Sequence, residues 1–228
     1  MLIEEVNGRA MTGNSWEAFW ISADNHDWWK RPAPEVMEFI ESQSPTKRPK
    51  VLDLGCGLGR HAIAFAKEGF CVTAIDASKT AIAHLREWAR ALELTIEAET
   101  GDVLDDTLPG SSFDIVLSYN VIYHGYREQF ALAIKHVRKW LRSGGLFFFT
   151  CPTRQDGKYG LGEQAAPHTF RCTKSVIPGD LHYFADEKAL DDLLTGFLSL
   201  SRRKDEGYWD NEGVQQFYSN WLVLAEKL

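Results

Sequence analysis

Seven consecutive residues, Asp53-Leu54-Gly55-Cys56-Gly57-Leu58-Gly59, combine types and spacing that could do chemistry. They extend a short apolar run that begins at Val51, and a helical pattern follows from Arg60. Closely spaced glycines let a backbone pass a ligand without Cβ collisions and permit positive φ. The following helix offers unpaired N–H groups and the positive end of its dipole, which suits a carboxylate or a phosphate. The spacing is GxGxG, whereas dinucleotide-binding turns read GxGxxG. Asp53 stands two positions before the first glycine. Its charge would repel a pyrophosphate, and it suits the ammonium and sulfonium groups of S-adenosylmethionine (SAM). A tight strand-to-helix turn with no ligand is the plain alternative.

Two further acidic residues fall where such a ligand would need them. Asp76 ends an apolar run about 20 residues after the glycines, where a carboxylate can accept both hydroxyls of a ribose. NAD and SAM share that ribose, so Asp76 does not choose between them. It could equally be a surface residue beside a helix start, with Ser78 as cap. Gly101-Asp102-Val103 follows another short run. Asp102 can accept from an adenine amino group and the Val103 N–H can donate to a ring nitrogen. The alternative is an ordinary Asx turn.

These residues need a scaffold, and the middle of the chain spells one out. Val51–Leu54, Cys71–Ile75, Leu94–Ala98, Phe113–Ser118 and Leu146–Phe149 read as strands. Arg60–Lys67, Lys79–Leu92 and Gln129–Leu141 read as helices. Leu132, Ile134, Val137 and Leu141 of the last are expected to face the core, and Gly144-Gly145 to end it. Strands alternating with helices imply right-handed crossovers and a doubly wound α/β architecture, a parallel sheet covered on both faces. Ligands bind beyond the carboxyl ends of such strands. We divide the chain into an aromatic N-terminal segment (1–48), a ligand-binding core (49–150) and a final part (151–228), all of one domain.

The composition excludes several functions. The chain has 228 residues, 44% of them hydrophobic and 25% charged, with a formal net charge of -7. No overall basic field draws it to nucleic acid or anionic lipid. Cys56, Cys71, Cys151 and Cys172 form no CxxC pair and no Cys/His cluster of zinc-ligand spacing, so no metal is expected. They read as free thiols of a reducing compartment. The acidic N-terminus has no signal-peptide pattern and no run is long enough to span a bilayer. A cytoplasmic protein, monomer or homodimer, is expected.

In order and spacing, Asp53–Gly59, Asp76, Gly101-Asp102, Phe113-Asp114-Ile115-Val116 and Leu141-Arg142-Ser143-Gly144-Gly145 resemble the class I SAM-dependent methyltransferases. The glycine turn followed by Arg60-His61, with an aromatic N-terminal segment, is similar to the small bacterial branch of tellurite-resistance and thiopurine-type enzymes. The resemblance implies a Rossmann-like, mostly parallel seven-stranded sheet whose last strand is antiparallel. Arg202 to about Asp205 and Ser219–Ala225 would flank its long final hairpin. It implies SAM as cofactor and S-adenosylhomocysteine as product. It sets Asp53, Gly55, Cys56 and Gly57 at the methionine part, Asp76 at the ribose and Ala77 beside the adenine. Asp102 and Val103 take the adenine edge, and the Asn120 backbone the amino-acid end.

The acceptor side is less legible. Methyl transfer from a sulfonium is an in-line displacement; a soft thiolate acceptor needs little beyond alignment, whereas a hydroxyl needs a base. His124 stands where the sheet opens and could be that base, or a half-buried ring bonded to backbone. His182 and Tyr183 follow a loop, Pro152 to about Pro178, too long for a plain connection; they are acceptor-site candidates or loop anchors. Four of the eight tryptophans, Trp16, Trp20, Trp28 and Trp29, precede Arg31. They could close over a sulfonium, with Trp29 nearest and Arg31 on the SAM carboxylate, or simply pack on the core. A small-molecule acceptor is expected. A macromolecular acceptor is weaker, because Ser118-Tyr119-Asn120-Val121 stands where an Asn-Pro-Pro-aromatic signature would argue for nitrogen methylation. A NAD-dependent oxidoreductase and a non-catalytic binding protein of this fold are the remaining alternatives.

Overall fold

The computed structural model describes residues 13–22, 29–43, 49–211 and 214–228. Two sheets organise them. The larger is built from β1 (Lys50–Leu54), β2 (Cys71–Asp76), β3 (Ile96–Thr100), β4 (Phe113–Ser118), β5 (Leu141–Pro152), β9 (Phe197–Asn211) and β10 (Val214–Lys227). Their spatial order is β3-β2-β1-β4-β5-β10-β9. The first five strands pair in parallel, and β10 runs antiparallel to β5 and β9. The chain therefore winds outward from β1 to β3, then returns to lay β4 on the other side of β1. That reversal opens a crevice beyond the carboxyl ends of β1 and β4.

Helices cover both faces, and strand alternation decides which residue meets which. On one side Leu52, Val116, Phe147 and Phe149 pack against Phe130, Ala133, Ile134 and Val137 of α5 (Arg127–Trp140) and Leu190 of α6 (Glu187–Leu193). On the other, Val51, Ile115 and Phe148 meet α2 (Pro34–Ser42), α3 (Arg60–Lys67) and α4 (Lys79–Ala91). β5 is apolar at every position from Leu146 to Phe149 because both its faces are covered. Alternation also puts Asp53 on the Val51 side, under the start of α3.

The loop expected after Pro152 is folded. β6 (Glu163–Ala166), β7 (Thr169–Cys172) and β8 (Asp180–Tyr183) form a three-stranded antiparallel sheet. A bridge from His182 to His124 and the Tyr183 N–H to Tyr123 carbonyl bond (3.0 Å) dock β8 on the segment after β4. Other expectations need adjustment. β3 starts at Ile96, and the final hairpin is long as expected, its strands reaching beyond the two runs to Phe197–Asn211 and Val214–Lys227. Leu132 is 38% exposed; Phe130, Ala133 and Trp140 complete the inner face of α5 instead. Gly144-Gly145 does not end that helix, which gives way to β5 at Leu141. Phe113 pairs with Leu141 and Ile115 with Leu146, so the glycines occupy a bulge at the start of β5. Residues 44–48, and Trp28, lie outside the described residues. Among the described residues no helix is long and apolar enough to cross a membrane.

Gly59 offers a measurable check on this packing. Its φ is +87°, and a Cβ there would stand 2.2 Å from Leu85 Cδ1, whereas Gly69 (φ +86°) has nothing within 4 Å. Both glycines forgo the left-handed strain a side chain would bring, but only Gly59 also avoids a collision in a filled core. Gly59→Ala should cost about 1–3 kcal/mol more than Gly69→Ala in denaturant unfolding. Equal losses would mean that α4 does not press on the glycine turn.

Candidate active site

Three left-handed glycines shape the floor of the crevice. Gly55, Gly57 and Gly59 have φ of +76°, +52° and +87°. Gly55 and Cys56 donate their N–H groups to the Ile75 carbonyl at 2.8 and 2.9 Å, which ties the turn to the end of β2. Gly59, the N-cap of α3, has no side chain to cap with. Asp53 supplies the missing acceptor from below: its Oδ2 receives the Ala62 N–H at 3.0 Å. Burial pushes its pKa up to about 7 in spite of that bond. The Asp53 carboxylate thus serves the turn and lies outside the cavity lining.

Asp76 does line the cavity. Its Oδ2 accepts from Gly57 N at 2.8 Å and its Oδ1 from Ser78 N at 2.9 Å. Burial raises its pKa, although both hydrogen bonds oppose the rise. Each carboxylate oxygen retains a second lone pair. Ala77, Val103 and the exposed Asp102 continue the wall at this end. Asp102 Oδ1 also accepts from Leu104 N at 2.9 Å, so the Asx turn is real.

Aromatic side chains roof the cavity. Trp16, Phe19 and Trp20 of α1 (Gly13–Ser22) line it together with Trp29. Trp20 lies so close to Gly57 that a Cβ there would be 2.8 Å from its Cζ2. Trp20 and Trp29 meet edge to face at 5.5 Å. Arg31 does not join them; it is exposed outside the lining, and its carbonyl accepts from Arg60 Nη1 at 3.1 Å. A residue that sequence reading overlooked fastens the roof. Glu17 accepts from Ser78 Oγ (2.6 Å), Thr80 N (3.1 Å) and Thr80 Oγ1 (2.7 Å) at the N-terminus of α4. Those bonds hold its pKa down at about 2.

The far end of the cavity is polar. Asn120, at φ +59°, donates its N–H to Thr150 Oγ1 at 2.7 Å, and its carbonyl receives His124 Nε2 at 3.2 Å. His124 Nδ1 faces Asp180 Oδ2 in a very short contact. His182 Nε2 lies 3.2 Å from the same oxygen and 3.1 Å from Ser175 Oγ. Burial lowers His182 to about 4, against the pull of Asp180. Burial alone would raise Asp180, but the two histidines hold it below the usual carboxylate range. Tyr183 points elsewhere: it is 1% exposed, packs against Phe130 and does not line the cavity. Lys158, Lys174, Ser175 and Trp209 also line this end, and Asp180 lies behind it. None of these was legible beforehand. They come from two strands and two turns whose approach has no sequence period. The acidic residue two before His182 was the one available hint.

Loss of the Glu17 contacts should free the roof. Glu17→Ala is expected to red-shift tryptophan emission and raise acrylamide quenching, with far-ultraviolet circular dichroism preserved. A depressed carboxylate pKa contributes stability above the unfolded value near 4.5 and loses it as pH falls through about 2. Acidification over that window should therefore produce the emission change in wild type and not in the variant. Identical titrations would show that Glu17 does not hold α1.

Comparison with known proteins agrees with this architecture. Residues 51–145 match the model of a methyltransferase domain. The chain is 32% identical to a ubiquinone biosynthesis O-methyltransferase of Chelativorans sp., over 80% of this chain and 73% of the relative. Among solved structures it resembles TehB from Haemophilus influenzae, with a TM-score of 0.67 and 22% identity. That match covers 86% of this chain and 63% of TehB. It also resembles the 1,6-didemethyltoxoflavin-N1-methyltransferase of Burkholderia thailandensis, solved with S-adenosylhomocysteine. There the TM-score is 0.65 and the identity 19%, covering 97% and 93% of the two chains. These likenesses to solved structures carry the fold, and the sequence relationship carries the chemistry: the chain belongs to the class I SAM-dependent methyltransferases.

Proposed function

We propose that the enzyme transfers the methyl group of SAM to a small-molecule acceptor held between the glycine turn and the β6–β8 sheet. The observation that carries this reading is the buried Asp76 carboxylate. It sits where the turn meets β2, lines the cavity and keeps lone pairs for the two ribose hydroxyls. Asp102 and Val103 then receive the adenine, with Ala77 beside it. The backbone of Gly55, Cys56 and Gly57 faces the methionine part, and the α3 N-terminus favours its carboxylate. The aromatic faces of Trp16, Trp20 and Trp29 suit the sulfonium. The Asn120 carbonyl, already accepting from His124, has a second lone pair for the ammonium group.

The acceptor takes the remaining space, beside His124 and His182. Enclosure by α1 on one side and β8 on the other supports a small acceptor over a polymer. The relative named for ubiquinone biosynthesis by O-methylation supports an oxygen acceptor. His124 does not suit the role of a free general base, because its two ring nitrogens already face the Asn120 carbonyl and the Asp180 carboxylate. Tyr183 and Arg31 have no part in this reading. Four free cysteines, three of them buried, support a reducing, cytoplasmic setting.

Calorimetry tests the assignment. SAM and S-adenosylhomocysteine should bind and NADH should not. Asp76→Ala should weaken SAM binding by ~1–3 kcal/mol through lost charged hydrogen bonds, while His182→Ala leaves it nearly intact. Unchanged affinity in Asp76→Ala would refute the ribose role. A large loss in His182→Ala would place the cofactor at the wrong end of the cavity.

A further inference from the structure

We propose that His124, Asp180 and His182 form a binding site for one divalent transition-metal ion at the acceptor end of the cavity. The three residues offer ligand atoms that all lie within 4.8 Å of one another. The residues are 56 positions apart at the closest crossing between their two segments, which is why no ligand spacing shows in the sequence. β8 carries Asp180 and His182, and its bridge to His124 brings the set together.

The ring of His124 is already set for a ligand. In the tautomer that donates Nε2–H to the Asn120 carbonyl at 3.2 Å, the ring turns its Nδ1 lone pair toward Asp180. An imidazole ligand is commonly oriented in this way, by a carbonyl on its other nitrogen. Asp180 Oδ2 then faces two ring nitrogens, His124 Nδ1 and His182 Nε2. In that tautomer the facing lone pairs are reconciled by a cation bound among them. Asp180 is 1% exposed and its Oδ1 has no hydrogen-bond partner; His182 is 2% exposed and its Nδ1 has none. A carboxylate left this bare in the interior calls for a positive charge beyond its hydrogen bonds. A proton on His124 would supply it as an ion pair, and a metal ion would supply it as coordination. The second reading also accounts for His182 converging on the same oxygen.

Two imidazoles and one carboxylate, with no thiolate, suit Zn²⁺, Fe²⁺, Mn²⁺ or Co²⁺ and leave coordination positions open. Mg²⁺ and Ca²⁺ prefer all-oxygen sets. His124 and His182 line the cavity, so the open positions face the acceptor. What the ion does there rests on the reading of the acceptor given above. A hydroxyl of the acceptor held on it loses its proton to water more readily. The oxygen lone pair then forms the O–CH₃ bond as the C–S bond breaks, with that electron pair staying on sulfur. The balance is R–OH plus SAM⁺ giving R–OCH₃, S-adenosylhomocysteine and H⁺.

Untagged, chelator-treated protein titrated with Co²⁺, followed by its visible absorption, and with Zn²⁺ in a calorimeter, tests the site without activity. Saturation at one ion per chain is expected, with a rise in Tm. Asp180→Asn and His182→Gln should each weaken binding at least ~10-fold. Folded wild-type protein with no saturable binding, or binding unchanged in both variants, overturns the site and leaves the ion pair. SAM titrated into the same samples separates the two proposals. SAM binding without metal sinks only the metal site, and metal binding without SAM sinks only the cofactor assignment.

Discussion

The turn between β1 and α3 must carry three left-handed residues and begin a helix that has no cap of its own. Only glycine takes those conformations without strain, and glycine brings no side chain to satisfy the open N–H groups. Two carboxylates from neighbouring strands make up the deficit. Asp53 accepts from Ala62 inside α3, and Asp76 accepts from Gly57 in the turn and from Ser78 at the start of α4. Both are buried, and burial works against their charge. The arrangement therefore concentrates acceptor capacity beside the crevice, with Asp76 facing it. A ligand with donor hydroxyls answers it.

The same α4 start that leans on Asp76 also receives Glu17, so roof and floor share one anchor. A carboxylate at a helix N-terminus is favoured by the dipole and by the open N–H groups. Here it holds a helix whose inner face is aromatic, and Trp20 closes against the one glycine of the turn that has room for it. Core and cap are thus not alternatives for these tryptophans. They form a small cluster with Leu58 and Ala81, and they line the cavity as well.

The opposite wall is built differently. A segment between β5 and α6 folds into its own three-stranded sheet and pairs by one bridge to the chain after β4. This brings His182 and Asp180 against His124. Two backbone contacts and the cluster of His124, Asp180 and His182 hold β8 there.

Much of the fold was legible in the sequence because its signals are local. Arg60–Lys67 and the strand cores of β1, β2, β4 and β5 follow from hydrophobic periodicity and glycine placement, and the α/β class follows from their alternation. The glycine turn, Asp76 and Asp102 were legible for the same reason, since residues at strand ends fall at one edge of any such sheet. The direction of a side chain was not. Asp53 lies under α3 because strand alternation turned it there, Arg31 remains in solvent, and Tyr183 is buried behind His182 because neighbours on a strand point to opposite faces. Nor was any partnership across the chain: Glu17 with Ser78 and Thr80, or His124 with Asp180 and His182. Periodicity reports which residues share a face within one element. Which elements then approach is decided by packing over the whole molecule, and only there do His124, Asp180 and His182 meet.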